Sequence, residues 1–396
     1  RYLIRTVYLT LEKPCLPYPV AQSSMRCMFM ADNFRTLNCH GFDSRLQMSD
    51  FVQSLAETVR EAAANGDPLC IQGGNTKKFL GREPVGKPCP MSGHAGVTNY
   101  EPTELVITAK AGTTLMTIEA TLAKAGQMLP FEPPGFGVGA TIGGTIACGL
   151  SGPARPYRGA ARDLVLGIAC INGNGQILKF GGQVMKNVAG YDVSRLMVGA
   201  MGTLGIITEI SLKVLPTPKH TKTLVFECSS SAGLKKMTSL FARSVPVTAS
   251  AWHDDFLRIR LSGVKDSVDA AAAELGGEFD PDGDQFWQKL KEHRLDFFNG
   301  PGPLWRLSLK PKNEVLPLTD PYLIEWGGGL YWVKTSRPPS DLVKIAASAG
   351  GYITRFNGGD RTENLSGLED VGMRLNRQLK KSFDPQNILN PGRLFA

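Results

Sequence analysis

The sequence predicts an α+β chain of at least two domains. Three observations carry this reading: a length of 396 residues, generous for one core; strands that run straight into glycine-rich loops as far as residue 217; and a split β-α-β order beyond the turn Pro216-Thr217-Pro218.

Regular structure is predicted to begin at Ser49, an N-cap for a helix whose Phe51, Leu55, Val59 and Ala63 recur at fourfold spacing and share one face. Gly66 ends it, and the apolar run Pro68 to Ile71 reads as a strand. Leu105 to Ala109 is a second strand, followed by a helix with Leu115, Ile118, Leu122 and Ala125 inward and Gly126 as its stop. Asp163 to Phe180 reads as a hairpin around Asn172-Gly173-Asn174-Gly175, and Leu204 to Leu215 as a strand that closes the first domain. The second domain then runs strand 223–228, helix 234–242, paired strands 249–252 and 257–261, and helix 267–275. Strands at 304–309, 323–326, 330–334 and 352–356, with a helix at 341–349, make it a smaller antiparallel α+β, ferredoxin-like unit. A last helix carries Val371, Leu375, Leu379 and Phe383 on one face, and Asn390-Pro391-Gly392-Arg393 turns the chain back to the first domain.

A chain that is 42% hydrophobic and 20% charged buries a large core. Its net charge of +8 comes from scattered Lys and Arg without the clustered runs of a nucleic-acid surface, so a basic protein that handles anions is expected and nucleic acid is not. The eight cysteines (Cys15, Cys27, Cys39, Cys70, Cys89, Cys148, Cys170, Cys228) fall at irregular intervals with no C-x-x-C pair, which points to reduced thiols in a cytosol and to no metal site. No apolar run approaches the roughly twenty residues of a membrane span. Residues 1–41 start at Arg1, contain Met25, Met28 and Met30, and lack an apolar signal-peptide core; a disordered extension or an over-extended reading frame is expected there.

Glycine carries the chemistry-bearing signal. In Gln72-Gly73-Gly74-Asn75-Thr76-Lys77 a strand ends in residues with little side chain, which serves either a tight turn or a backbone cradle for a pyrophosphate. Gly135-Phe136-Gly137-Val138-Gly139-Ala140 matches a dinucleotide fingerprint in letters only, since it follows Pro133-Pro134 rather than a strand. The string Gly139 to Gly152, containing Thr141, Gly143, Gly144, Thr145, Cys148 and Gly149, lets a planar or polyphosphate ligand lie against backbone, and Arg155, Arg158 and Arg162 follow to neutralise an anion. A third cluster, Lys186 to Asp192, precedes Gly199-Ala200-Met201-Gly202-Thr203-Leu204-Gly205-Ile206-Ile207.

The three clusters in this order resemble the FAD-binding (PCMH-type) domain of the flavoprotein superfamily named for vanillyl-alcohol oxidase and para-cresol methylhydroxylase. More narrowly, Glu132-Pro133-Pro134, Ala147 to Pro153, Val184 to Asp192, Phe286-Trp287, Leu304-Trp305-Arg306 and Thr354-Arg355-Phe356 resemble the E-subunit family of bacterial glycolate oxidases. The resemblance implies an FAD-binding domain over 42–217, a cap over 218–383 and a return to the first domain over 384–396. It implies a pyrophosphate at Gly73, Gly74, Asn75, Thr76 and Lys77 and at Thr141, Gly143, Gly144, Thr145, Cys148 and Gly149, with Arg155 nearby and backbone at Gly202 and Ile207 against the flavin. Where relatives attach FAD through His or Cys, this chain has Asn75-Thr76-Lys77 and Glu132-Pro133-Pro134, so non-covalent FAD is expected.

Oxidation of a small 2-hydroxy acid such as glycolate needs a cation for the carboxylate and a group that removes the hydroxyl proton. Arg155, Arg158, Arg306 and Arg355 are candidate cations, and Tyr191 and Asp360 candidates for proton transfer; none of the five histidines lies in a glycine-rich loop. Catalytic relatives resemble one another in clustering His and Glu, often with a metal, where this chain has Arg355-Phe356-Asn357-Gly358-Gly359-Asp360. The resemblance therefore implies a subunit of a glycolate dehydrogenase assembly, cytoplasmic or peripheral on the inner face of the plasma membrane. Its partners would be a D-type flavoprotein that does the main hydride chemistry and an iron–sulfur subunit that takes the electrons. A self-sufficient 2-hydroxy-acid dehydrogenase and a structural subunit with an empty flavin fold are the alternatives.

Overall fold

The computed structural model describes residues 50–182, 192–363, 365–366 and 370–394. The expected extension 1–41, the Ser49 cap and most of the Lys186 to Asp192 cluster, Tyr191 included, lie outside them.

The first helix, α1 (Asp50–Asn65), buries Val52, Leu55, Ala56, Val59 and Ala62, so its inner stripe is wider than the fourfold row predicts. It packs beside β1 (Leu69–Gln72), which pairs in parallel with β2 (Lys87–Pro90). The main sheet of this half has the order β3-β4-β8-β6-β7 and is antiparallel throughout. Its strands are β3 (Val97–Glu101), β4 (Val106–Lys110), β6 (Val165–Ile171), β7 (Ile177–Gly181) and β8 (Ile206–Lys213). Two helices, α2 (Leu115–Lys124) and α3 (Ile142–Cys148), pack on it through Leu115, Ile118, Leu122, Ile142 and Ile146, all buried with Ile107, Ile168, Ile210 and Leu212. The short pair β5 (Gln127–Met128) and β9 (Leu215–Pro216) leads toward the second half.

The cap is built on one nine-stranded antiparallel sheet, wider than the first half's main sheet. Its first unit is β10 (His220–Glu227), α7 (Ser230–Ser239), β11 (Val247–His253), β12 (Phe256–Gly263), α8 (Lys265–Leu275) and β13 (Glu278–Phe279), in the spatial order β13-β10-β12-β11. These helices are numbered after α4 (Arg155–Arg158), α5 (Ala161–Leu164) and α6 (Val193–Met197) of the first half. After α9 (Gly283–Lys291) and α10 (Asp296–Asn299) comes a second unit: β14 (Leu304–Ser308), β15 (Tyr322–Glu325), β16 (Leu330–Lys334), α11 (Pro339–Ser348) and β17 (Tyr352–Asn357). The ninth strand, β18 (Leu365–Ser366), pairs outside β17, and inward from it the second unit runs β17-β14-β16-β15, the same fourth-first-third-second order as the first. The cap sheet is thus two ferredoxin-like units joined edge to edge, where Ala251 pairs with Glu325 and Trp252 with Ile324. In the second unit a loop, 309–321, replaces the helix that α7 supplies in the first.

The sheet sorts side chains by alternation. Trp305, Leu307, Tyr331, Val333 and Ile353 face the helices α7, α8 and α11, whereas Leu304, Leu323, Trp332 and Phe356 face the first half. That second face is tied down by polar contacts: Glu292 accepts from Gly135 N at 3.0 Å and Phe136 N at 2.7 Å, Arg260 pairs with Glu132 at 2.7 Å, and Trp326 Nε1 donates to Gly152 O at 3.1 Å. On the far side, Arg361 donates to the carbonyls of Lys78, Gly81 and Arg82 and pairs with Glu83.

The last helix, α12 (Asp370–Phe383), delivers the chain back to β1. Leu69 N donates to Ile388 O at 2.7 Å and Asn390 N to Leu69 O at 2.9 Å, so the return segment runs beside the strand. The Asn390 side chain accepts from Ile71 N at 2.8 Å and donates to Met201 O at 2.7 Å. Asp384, 1% exposed, accepts from Ile388 N, Leu389 N and Lys380 Nζ.

Candidate functional site

The two glycine loops meet backbone to backbone. A Cβ on Gly74 would stand 1.5 Å from Gly139 O, and one on Gly73 would stand 2.5 Å from Thr141 Oγ1, so neither position has room for a side chain. Asn75 follows with a left-handed φ of 57°, which turns the chain out of the strand line. Thr76 is half-buried, and Lys77 folds inward: it is 7% exposed, its Nζ donates to Gly135 O at 3.2 Å, and burial lowers its proton affinity against the opposing pull of Cys148 and Glu292.

Thr141 caps α3, its Oγ1 accepting from Gly144 N at 3.3 Å. Gly143 lies against β4's end, where a Cβ would come within 2.7 Å of Ala111 Cβ. Thr145 is fully buried and its hydroxyl has no hydrogen-bond partner. Cys148 closes the helix half-buried, with its thiol held protonated by burial although Lys77 and Arg393 pull the other way, and Gly149 turns the chain at φ 64°. Gly202 abuts the same place from the other side: a Cβ there would lie 2.7 Å from Asn390 Nδ2 and 3.1 Å from Ile71 Cδ1. Ile207 lies on β8 opposite Cys170, past the last β4 partner, Glu209. The structure therefore brings the first two loops into contact and links Gly202 to them through Asn390.

The arginines divide. Arg155 on α4 and Arg306 on β14 both reach Trp326, with guanidinium carbons 4.5 and 5.2 Å from its ring centroid. Arg355 pairs in register with Trp305 and lies over that ring at 4.4 Å, so it is on the helix-covered face and does not share a site with Arg306. Asp360 is in an exposed turn, its carboxylate held below the usual range by hydrogen bonds from Thr362.

Beside Arg306 the structure places groups that sequence reasoning missed. Glu325 is 4% exposed, and its Oε1 accepts from Trp332 Nε1 at 2.7 Å. Burial raises its carboxyl to about 7, with Trp332 and Arg306 opposing and Glu132 adding to the rise. His293, at φ 52°, stacks flat on Phe298 at 4.1 Å and meets Trp332 edge-on at 4.5 Å; burial first and Arg306 second bring its pKa down to about 3. These residues, with Pro134 and Gly152, line a cavity of about 20 Å³, room for roughly one water. A charged residue alone in the apolar run Tyr322-Leu323-Ile324-Glu325-Trp326 was the available signal for Glu325. Among the described residues, no three His, Cys, Asp or Glu side chains come together as a metal site.

Residues 50–181 match the FAD binding domain family and 358–394 the C-terminal domain of FAD linked oxidases. Over 351 residues, 89% of this chain and 99% of the relative, the sequence is 47% identical to glycolate oxidase subunit GlcE of Escherichia coli (strain K12). The chain belongs to the GlcE family of FAD-linked oxidases. A shorter stretch of 146 residues, 36% of this chain and 31% of the relative, is 34% identical to glycolate oxidase subunit GlcD of Bacillus subtilis (strain 168). Alkyldihydroxyacetonephosphate synthase shares the fold at a TM-score of 0.59 and 18% identity, covering 86% of this chain and 75% of that one.

FAD is the cofactor of this GlcE-family chain, and the residues present fit it. The glycines keep side chains out of the loop contact, Thr145 offers a buried hydroxyl that still lacks a partner, and Lys77 brings positive charge. The same site gives the GlcE-family fold a pH signature. A histidine whose folded pKa lies below its unfolded value costs stability as pH falls from about 6.5 toward about 3; a carboxyl raised from 4.5 to about 7 costs stability as pH rises across that range. The two oppose each other between about pH 4.5 and 6.5, and of the two only His293 acts below that range. His293→Asn, which removes the titration and tolerates the left-handed φ, is expected to flatten the loss of melting temperature below pH 4.5. An unchanged acid limb would show that His293 is not the group responsible.

Proposed function

We propose that this chain is the FAD-binding subunit of a multi-subunit glycolate dehydrogenase, holding FAD non-covalently and relaying to an iron–sulfur subunit the electrons released when glycolate becomes glyoxylate. A D-type flavoprotein partner does the main hydride chemistry, and the assembly lies in the cytoplasm or on the inner face of the membrane. Among the described residues no helix is long and apolar enough to cross a bilayer, which is consistent with attachment through partners. The proposed domains are 42–217 for FAD, 218–383 for the cap and 384–396 for the return.

The observation that carries the relay reading is the contrast between the two sides of the site. Gly73, Gly74, Asn75, Thr76 and Lys77 with Thr141, Gly143, Gly144, Thr145, Cys148 and Gly149 form a cradle suited to a pyrophosphate, with Gly202 and Ile207 beside the flavin. Beside the second glycine loop, Trp332, His293 and Phe356 with Pro134 and Gly152 close down to a cavity of about 20 Å³, which supports a chain that does not itself seat a 2-hydroxy acid. When bound, FAD supplies the two-electron acceptor and donor; the chain's own residues hold it and shield it from water. Arg306 beside Glu325 favours a second reading, a self-sufficient dehydrogenase with Arg306 as carboxylate anchor and Tyr191 as the candidate for proton transfer; Arg355, on the opposite face of the sheet, does not serve that role.

A visible spectrum of the purified chain, alone and co-expressed with its partners, before and after acid precipitation, separates these. Flavin bands that leave with the acid supernatant and do not bleach when glycolate is added to the lone chain are expected. Bleaching of the lone chain would favour self-sufficient oxidation, and a colourless chain inside an active complex would leave a structural subunit.

A further inference from the structure

Glu325 is a carboxyl group in a place where carboxyl groups are costly. It is 4% exposed, stands at the end of β15 where the two halves of the cap sheet join, and borders the one-water cavity under Gly152. One oxygen is fixed by Trp332 Nε1 at 2.7 Å. The charged and titratable groups around it come from every neighbouring element. Arg306 faces it from β14, His293 from the turn after α9, and Glu132 from the segment before the second glycine loop; Arg155 lies over the adjacent Trp326 from α4. Glu132 is itself paired with Arg260 at 2.7 Å, Lys291, which also lines the cavity, is paired with Glu292 at 3.6 Å, and His293 is uncharged at neutral pH, which leaves Arg306 as the cation that most directly opposes the rise of Glu325.

We propose that Glu325 is a proton-loading site of this subunit: it takes up one proton, through the adjoining water-sized cavity, when an electron pair enters the bound flavin, and releases it when the pair leaves. The proposal rests on the relay reading above. A 2-hydroxy acid donor loses two electrons and two protons in becoming a 2-oxo acid; the arriving pair adds two negative charges near a poorly hydrated site. The donor's two protons go to water where it is oxidised; of the two charges arriving here, a proton taken up by the reduced flavin cancels one and the proton on the Glu325 carboxylate the other, and both protons return to water as the electrons pass to the iron–sulfur acceptor. Burial poises the carboxyl near 7, so a modest change in nearby charge moves it between its two forms at neutral pH. Trp332 acts as a positioning residue, since its indole N–H favours the charged form.

The test is made on the flavin-loaded chain, with flavin content read first from its spectrum, so a chain without flavin is recognised as failure of the relay reading. Protons taken up per electron pair are then measured from the pH dependence of the flavin midpoint potential between pH 6 and 8. Wild type is expected to take up as much as one proton more than Glu325→Gln within this range. Trp332→Phe is expected to keep the extra proton but to shift its appearance to higher pH, a change that a packing role for Trp332 does not produce. Infrared difference spectra of the wild type are expected to gain a protonated-carboxyl band on reduction, a readout that needs no variant. Equal proton counts in wild type and Glu325→Gln, or no such band in the wild type, would overturn the proposal.

Discussion

Gly74→Ala is expected to give a chain that purifies without flavin. The alanine Cβ would sit 1.5 Å from Gly139 O, and because the opposing atom is backbone, no rotamer change relieves the clash; the two loops must separate. Pushing the first loop off the second moves the Gly73 to Lys77 amides away from Thr141 and α3, and at least about 1.4 kcal/mol of binding, a tenfold loss, follows. Gly139→Ala is the matched control, because its Cβ finds Gly74 O at an ordinary 3.5 Å. The ratio of flavin to protein absorbance in the two variants decides the matter: equal, wild-type ratios would mean that the loop contact does not shape the cofactor site.

Asp384→Ala is expected to lose about 3–5 kcal/mol of unfolding free energy in urea, the cost of breaking a buried ion pair that also terminates backbone donors. Its carboxylate accepts from Lys380 Nζ at 2.5 Å, Ile388 N at 3.1 Å and Leu389 N at 2.7 Å, and the Gly173 turn packs directly on it. Removing it strands a half-buried ammonium group and two amides at the hinge between α12 and the return segment. Asp384→Asn keeps an acceptor without the charge and should fall between wild type and alanine. A loss below 1 kcal/mol for the alanine variant would show that water or Thr203 O, which Lys380 also meets at 2.8 Å, takes over its role.

Of these two positions the sequence singled out Gly74 alone. Gly74 stood out as one of two glycines at a strand's end, a pattern that a tight turn and a phosphate cradle share, and the antiparallel α+β character of the cap was legible because β-rich runs alternate with helix periods between clear turns. The doubling of the ferredoxin-like unit was not: its second copy replaces a helix with the loop 309–321, which erases the repeat from the periodicity. Arg306 and Arg355 looked equivalent as candidate cations, yet strand alternation and the pairing of Arg355 with Trp305 send them to opposite faces. Glu325 and His293 escaped because their chemistry comes from burial, which is set by Trp332, Phe298 and Phe356 arriving from other strands and turns. The helix α9, which carries Trp287 and leads into Glu292, was read only as a Phe-Trp motif, although its Trp287 is 3% exposed and bonded to Thr223 at 3.0 Å.

The bond from Ile71 N to Asn390 Oδ1 spans 319 positions of the chain. A ribosome that has finished the whole FAD half, and then the whole cap, has still not made the residue that fixes the end of β1 and holds Met201 beside it. During synthesis the first half can collapse and the cap can form its local hairpins, but the cradle stays open at one side until the last turn emerges. The clasp between Ile71, Met201 and Asn390 can therefore be made only when synthesis is nearly complete, and a nascent chain stalled before Asn390 lacks it.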